Sequence, residues 1–356
     1  AATLIANARH PVIFSQRGAR TRQAFDLIST FVEQWAIPVV EYWGTEVTIS
    51  AAHPMYAGNE PAYWLSKADV VIVIDSQAPW MIESMNVNPD CKVIQIGPDP
   101  LFSRYPVRGY QSDVNLAGET DTIFKLLDNA LKPYLAEKSA SVEERYFHVA
   151  AHNKKERTTR DNVVDSANAG PIGKPWLSYC LGALANKYNS KITSELTTLP
   201  QFANFIQPES YYQEALSGGL GEAFPIALGL QLANRDELVI AAVGDGSYLF
   251  SNPAVCHHIA EVMKLPVLVV VGNNAGWGAV AGGTLALYPD GYAAKMDKVP
   301  ATSFTLSPDL AAIAASSRAV AMKVDRAEDL LDTLEEAVNI IRTQKRSVLV
   351  DVILGK

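Results

Sequence analysis

The chain is poor in several things that would have set its class at once. It has three cysteines, Cys91, Cys180 and Cys256, widely spaced among apolar residues. An odd, scattered set excludes a disulfide framework and reads as buried free thiols in a reducing cytoplasm. No apolar run reaches the roughly 18 residues that a membrane helix needs, and no signal peptide is visible, so neither a membrane nor export is expected. Basic charge is not in excess: 30 Lys and Arg stand against 38 Asp and Glu, a net charge of −8, which argues against nucleic acid as a partner. There is no H-E-x-x-H, no Ser-His-Asp or Cys-His arrangement, no internal repeat and no low-complexity segment. The opening Ala1-Ala2, without methionine, suggests a processed product or a fragment.

What is present is an ordinary soluble composition, 48% apolar and 19% charged over 356 residues, enough for two domains. Pro11 to Phe14, Ile37 to Trp43, Val70 to Asp75 and Val93 to Gly97 read as strands. Helices are expected near 3–9, from Thr21 to Trp35 and from Asp121 to Leu135. Alternating strands and helices predict a doubly wound parallel sheet over residues 1–137. Its first turn, Ser15-Gln16-Arg17-Gly18, has one glycine and lacks G-x-G-x-x-G, so it carries no dinucleotide fingerprint.

Residues 138–172 read as a linker, with a charged helix from Val142 to Asp161. His148 and His152 share a helix face at i, i+4, a spacing that can bind zinc, but no carboxylate lies between them, and a solvated connector is the plainer reading. His257 and His258 are adjacent and diverge on a helix, so they cannot chelate one ion.

Residues 173–356 form the second α/β unit. Helices are expected at Trp176–Asn186, Glu222–Leu232 and Ala327–Thr343, with strands at Lys191–Ser194, Val320–Val324 and Val348–Ile353. A loop is expected over 281–302. At its centre an apolar run (Leu238 to Val243) stops at Gly244-Asp245-Gly246. A helix opened by Asn252-Pro253 follows, and a second run (Pro266 to Val271) stops at Gly272-Asn273-Asn274. Polar residues thus fall at the carboxyl ends of two strands, where open parallel sheets bind ligands. Asp245 offers a hard carboxylate and Asn274 an amide oxygen, while Gly246 and Gly276 let the backbone come close.

Gly-Asp-Gly, 26 intervening residues and Asn-Asn resemble the cofactor signature of thiamine diphosphate enzymes, in the group of acetolactate synthase, benzoylformate decarboxylase and pyruvate oxidase. The spacer is somewhat longer than that group carries. The resemblance implies Mg²⁺ held by Asp245, Asn274 and the main-chain oxygen of Gly276, and through it the cofactor's diphosphate. Ser217-Gly218-Gly219-Leu220-Gly221 matches the family's next motif. Leu220 would be the apolar wedge between the cofactor's rings, and the carbonyl of Gly218, beside Gly219, would accept from the pyrimidine amino group. Thr197 and Thr198 resemble hydroxyls that contact the diphosphate, with turn and cap hydroxyls as the alternative. Ser247, beside Gly244–Gly246, could donate to a phosphate. Trp277, Ala279 and Val280 are candidate pocket walls. Glu222 stands where the family commonly has an aromatic or small residue; it suits the first turn of a helix or else faces the substrate.

The resemblance covers the family's central and C-terminal two thirds. Some members bind FAD or ADP in the central domain; here an empty, structural domain is expected. The pyrimidine-binding domain, with the glutamate that serves the pyrimidine nitrogen, has no counterpart in this chain and would come from another chain or a missing N-terminal segment, usually within a homo-oligomer. The expected reaction is decarboxylation or carboligation of a 2-oxo acid. A nucleotide-dependent (NAD or FAD) oxidoreductase and a non-catalytic cofactor-binding subunit are the rival readings.

Overall fold

Val70–Ile74 and Leu268–Asn273 are dominated by valine and isoleucine, residues that pack well on a pleated surface and leave no polar face for water. Such strands must be covered on both sides, and they are. The computed structural model describes residues 1–85, 87–214, 218–304 and 306–355. It divides into two compact units, one of residues 1–162 with 204–212, the other of 163–203 with 213–356.

The first unit holds a five-stranded parallel sheet of β1 (Pro11–Ser15), β2 (Val39–Val40), β3 (Val70–Ile74), β4 (Lys92–Gly97) and β5 (Val114–Ala117), in the order β2-β1-β3-β4-β5. Its core gathers Val12, Phe14, Val40, Val71 and Val93. The helix Arg22–Trp35 is opened by Thr21, whose hydroxyl accepts the N–H of Ala24 at 3.1 Å, and it buries Phe25, Ile28, Phe31, Val32 and Trp35. β2 is much shorter than the 37–43 read from sequence. Glu41 turns its carboxylate onto the N–H groups of Thr48 and Ile49, at 2.6 and 3.3 Å, and the chain leaves the sheet at that point. β5 was missed, because its residues are alternately half-buried and exposed.

The order reverses between β1 and β3, the position at which open sheets offer a ligand crevice. There Arg17 and Arg20 both pair with Asp75, at 3.1 and 3.2 Å. Residues 135–166, within which the two units divide, form one 32-residue helix.

The second sheet is made of β6 (Lys191–Glu195), β7 (Tyr211–Gln213), β8 (Val239–Gly244), β9 (Leu268–Asn273), β10 (Val320–Val324) and β11 (Val348–Ile353), in the order β10-β11-β9-β8-β6-β7, and all of it except Tyr211 and Tyr212 belongs to the second unit. β8, β9, β10 and β11 run parallel to their neighbours in this series, and β6 runs parallel to β8. Val239, Val243, Val269, Val271 and Leu349 form its core with Phe224 and Tyr248. All three cysteines are buried and free. Among the described residues no helix is long and apolar enough to cross a membrane.

Two segments differ from the reading above. Asp245–Phe250 is already helical, and Asn252, at φ 55, breaks it from the next helix, Pro253–Met263. Asn252 occupies the cap position without a capping side-chain bond. The stretch read as a loop over 281–302 begins as the helix Gly278–Leu287, which buries none of its residues and therefore leaves no amphipathic period to read.

Candidate active site

The carboxyl ends of β6, β8 and β9 lie side by side, because β8 pairs with β6 on one edge and with β9 on the other. Polar groups at and just beyond these strand ends therefore gather in one place. Thr197, Leu220, Gly244, Asp245, Gly246, Ser247, Asn274, Gly276 and Trp277 line a single slot of about 80 Å³.

Asp245 is its buried floor, 3% exposed. One carboxylate oxygen accepts the N–H of Gly246 at 2.8 Å and the other the N–H of Gly276 at 3.0 Å. Burial pushes this carboxyl above its ordinary range, and those N–H groups pull it back; no cation among the described residues takes part. A buried carboxylate with only neutral partners is a place for a cation.

The loop beyond β9 is fixed from several sides. Asn273 donates to Asp351 at 2.9 Å, the N–H of Trp277 to the carbonyl of Thr302 at 2.7 Å, and the N–H of Phe304 to Ala275 at 2.8 Å. This leaves Asn274 exposed at the slot. A carboxylate, an amide oxygen and the Gly276 carbonyl are hard donors of the kind Mg²⁺ takes, so the residues fit the ion that the sequence pattern implies. Among the described residues no cluster of three or more His, Cys, Asp or Glu side chains could hold a metal, in the slot or outside it.

Two glycines are steric necessities. A Cβ on Gly246 would overlap the Trp277 ring, and one on Gly276 would overlap the Thr302 carbonyl. Trp277 itself stands edge-on to Phe250 and Phe304, each at 5.2 Å between ring centres.

Not all of the expected residues reach the slot. Thr198 is buried beside it, its N–H on the Ser194 hydroxyl at 3.2 Å, and its own hydroxyl has no partner among the described residues. Gly218 and Gly219 are exposed and outside the lining; Ser217, from the same motif, lies outside the described residues. Glu222 is the N-cap residue of the helix Ala223–Ala233, half-buried and away from the slot. Burial and the charge of Glu195 raise its pKa. Ala279 and Val280 do line the slot.

Two contributors escaped the sequence reading. Glu195, fully buried at the end of β6, lines the slot and accepts the N–H groups of Gly221 and Ala223 at 2.8 and 3.3 Å. It thereby fixes the loop that carries Leu220. A carboxylate at the end of a strand was the available signal. Lys174 stands at the rim, its ammonium on the Leu196 carbonyl at 3.1 Å; nothing in its sequence neighbourhood marks it.

Comparison with known proteins bears on both units. Residues 1–127 match the family model "Thiamine pyrophosphate enzyme, central domain", and residues 194–352 match "Thiamine pyrophosphate enzyme, C-terminal TPP binding domain". The chain is 22% identical over 369 residues to an acetolactate synthase of Mycobacterium leprae, covering 100% of this chain and 56% of that protein. It is 23% identical over 365 residues to the acetolactate synthase large subunit of Corynebacterium glutamicum, with coverage of 100% and 56%. A sulfoacetaldehyde acetyltransferase of Castellaniella defragrans is 22% identical over 381 residues, covering 99% and 62%. The chain thus spans little more than half the length of these relatives. A solved structure of a thiamin diphosphate-dependent enzyme from Mycobacterium smegmatis matches with a TM-score of 0.70 at 19% identity, covering 100% of this chain and 63% of that one. At that identity the match carries the fold.

Proposed function

We propose a function from one premise: this chain belongs to the thiamine pyrophosphate enzyme family. On this reading its second unit holds the diphosphate of the cofactor through Mg²⁺, and the reaction is decarboxylation or carboligation of a 2-oxo acid, as in acetolactate synthase. The observation that carries it is the meeting of Asp245, Asn274 and Gly276 in one slot at the ends of β8 and β9.

Bound there, thiamine diphosphate would supply the electron sink that a 2-oxo acid needs in order to lose CO₂. The chain's own residues have simpler work. Asp245, Asn274 and the Gly276 carbonyl hold the ion. Ser247 offers a hydroxyl toward phosphate oxygens, as Thr197 would on giving up its bond to the Glu195 carbonyl at 3.2 Å, and Lys174 offers a positive charge at the rim. Leu220, with 46% of its surface exposed, would offer the cofactor's rings an apolar contact. Trp277 and Val280 would bound the substrate.

Two features support a half-site. The slot measures about 80 Å³, against roughly 300–1,000 Å³ for a pocket that encloses a small organic molecule. Beside it the helix Gly278–Leu287 buries nothing, with Val280 56% and Leu287 76% exposed. An exposed apolar wall suits a second polypeptide surface. We assign that surface to a pyrimidine-binding domain, from another chain or from elsewhere in a longer form of this one, within a homo-oligomer.

The test is thermal melting of the chain with thiamine diphosphate and Mg²⁺, singly and together. A stabilisation that requires both is expected, since a ligand bound only to the folded state adds about 2.7 kcal/mol at a hundredfold excess over Kd. Stabilisation that survives EDTA would remove the metal from the site.

A further inference from the structure

A second cleft lies in the first unit, at the opposite end of its sheet from the crevice that open parallel sheets use. It has a volume of about 860 Å³ and is bounded by the amino ends of β1 and β2, the segment around Tyr63 and Trp64, and the helix Leu135–Ser166.

Its charge is lopsided. Arg145 points three N–H groups at the carbonyls of Ala8, Trp35 and Ala36, at 3.0, 2.6 and 3.1 Å. Those bonds use three of its five N–H donors, and no carboxylate among the described residues forms an ion pair with it. Asp69, the carboxylate it senses, is itself occupied by the N–H groups of Arg9 and His10 at 2.7 and 2.9 Å. Lys67 places its ammonium 4.0 Å from the centre of the Tyr63 ring. Glu144 is the one carboxylate in the lining, and it faces His148 at 3.9 Å.

The cleft also carries an aromatic slab. His152 stacks on Tyr63 at 4.2 Å with 3° between the rings, and Trp64 stands edge-on to both, at 5.0 and 5.1 Å. The i, i+4 histidines therefore both line this cleft, and no metal cluster forms around them among the described residues. Stacked rings beside uncompensated cations are the chemistry that recognises a flat ring bearing an anion.

We propose that this cleft binds an aromatic phosphate of nucleoside-monophosphate size, with the phosphate held by Lys67 and the charge of Arg145, and the ring against the Tyr63–His152–Trp64 slab. The site is independent of the diphosphate slot in the second unit.

The experiment is calorimetric titration of the whole chain with adenosine monophosphate, adenosine and inorganic phosphate, each with and without saturating thiamine diphosphate and Mg²⁺. Saturable 1:1 binding of the monophosphate is expected, about tenfold or more tighter than either fragment, because each half alone forfeits the other's contacts. Lys67→Ala changes an exposed side chain and His152→Ala a half-buried one; each should weaken it by about tenfold, with the circular dichroism spectrum unchanged. Asp245→Ala should leave it untouched. Absence of binding at millimolar ligand, equal affinity in Lys67→Ala, or loss in Asp245→Ala or on adding thiamine diphosphate would each overturn the assignment.

Discussion

The Oδ2 of Asp245 accepts the backbone N–H of Gly276 at 3.0 Å. These residues lie just beyond neighbouring strands whose register brings Gly244 opposite Gly272. The bond therefore aims the carboxylate using the same loop that presents Asn274. A donor set oriented by backbone before any ion arrives loses little freedom on binding it, which is what a metal site needs from its surroundings.

That relationship separates a metal role for Asp245 from a structural one. Asp245→Asn keeps one oxygen that can accept from Gly276, turns its N–H₂ toward the Gly246 N–H, and removes a buried charge whose pKa burial has raised. The lost acceptor for Gly246 and the removed buried charge act in opposite directions, so the apo protein should melt close to the parent temperature, yet show no stabilisation with thiamine diphosphate and Mg²⁺ together. Scanning calorimetry with and without EDTA reads both effects. A variant that unfolds early but still responds to the metal would make Asp245 a loop anchor only.

Gly246 and Trp277 should behave as one unit. Gly246→Ala drives a methyl into the indole, an overpacking that costs about 1–3 kcal/mol, and it should abolish the cofactor response by displacing the loop. Trp277→Ala alone opens space at a half-buried position and should cost less. Because the two share one contact, the double variant should be more stable than the sum of the singles by about 1 kcal/mol or more. Strict additivity in denaturant melts would show that the indole moves aside without help.

Much of this was legible in sequence, for local reasons. Val70–Ile74 and Val348–Ile353 are runs of residues that only a covered sheet accommodates, and Gly244-Asp245-Gly246 and Asn273-Asn274 follow such runs directly. What escaped depends on partners far along the chain. Glu195 serves N–H groups 26 and 28 residues away. The carboxylate of Glu41 ends β2 by reaching Thr48. The helix Gly278–Leu287 buries no face, so no periodicity announces it.

Buried carboxylates give the stability a definite pH dependence. Burial pushes Glu41 up to about 7 from 4.5 and Glu214 up to about 8, the latter also through the charges of Glu195 and Glu222. For a carboxyl whose folded pKa is raised, the native state holds the proton that the unfolded state releases. Stability is then highest below pH 4.5 for these groups and falls as pH rises through the folded pKa. Glu41→Gln keeps an acceptor for Thr48 and should flatten the decline between about pH 4.5 and 7, by at most roughly 3 kcal/mol. Glu214→Gln should flatten the part that extends to about pH 8. His257, held at 2.9 Å by Tyr248 and pushed down to about 4 by burial, acts with the opposite sign. Its contribution is lost as pH falls from 6.5 toward 4, so Tm against pH in His257→Leu should be flatter on the acid side. Unchanged profiles in all three variants would mean that these groups are solvated in solution.

The slot is lined by two carboxylates, Asp245 and Glu195, and both are committed: Asp245 to the N–H groups of Gly246 and Gly276, Glu195 to those of Gly221 and Ala223. Glu222 stands outside the lining, at the N-cap position of a helix to which its side chain makes no capping bond. No described carboxylate of the slot is therefore free to act as the general acid–base partner of the pyrimidine ring, help that is typically worth about 10²–10⁴ in rate. Exchange of the cofactor's C2 proton, followed by NMR on residues 1–356 saturated with thiamine diphosphate and Mg²⁺, should stay close to the rate in free solution, and turnover of pyruvate or benzoylformate should be negligible. Adding a pyrimidine-binding domain in trans should raise the exchange rate by two orders of magnitude or more. Fast exchange by these residues alone, lost in Glu222→Gln, would instead place the base within this chain and make the half-site whole.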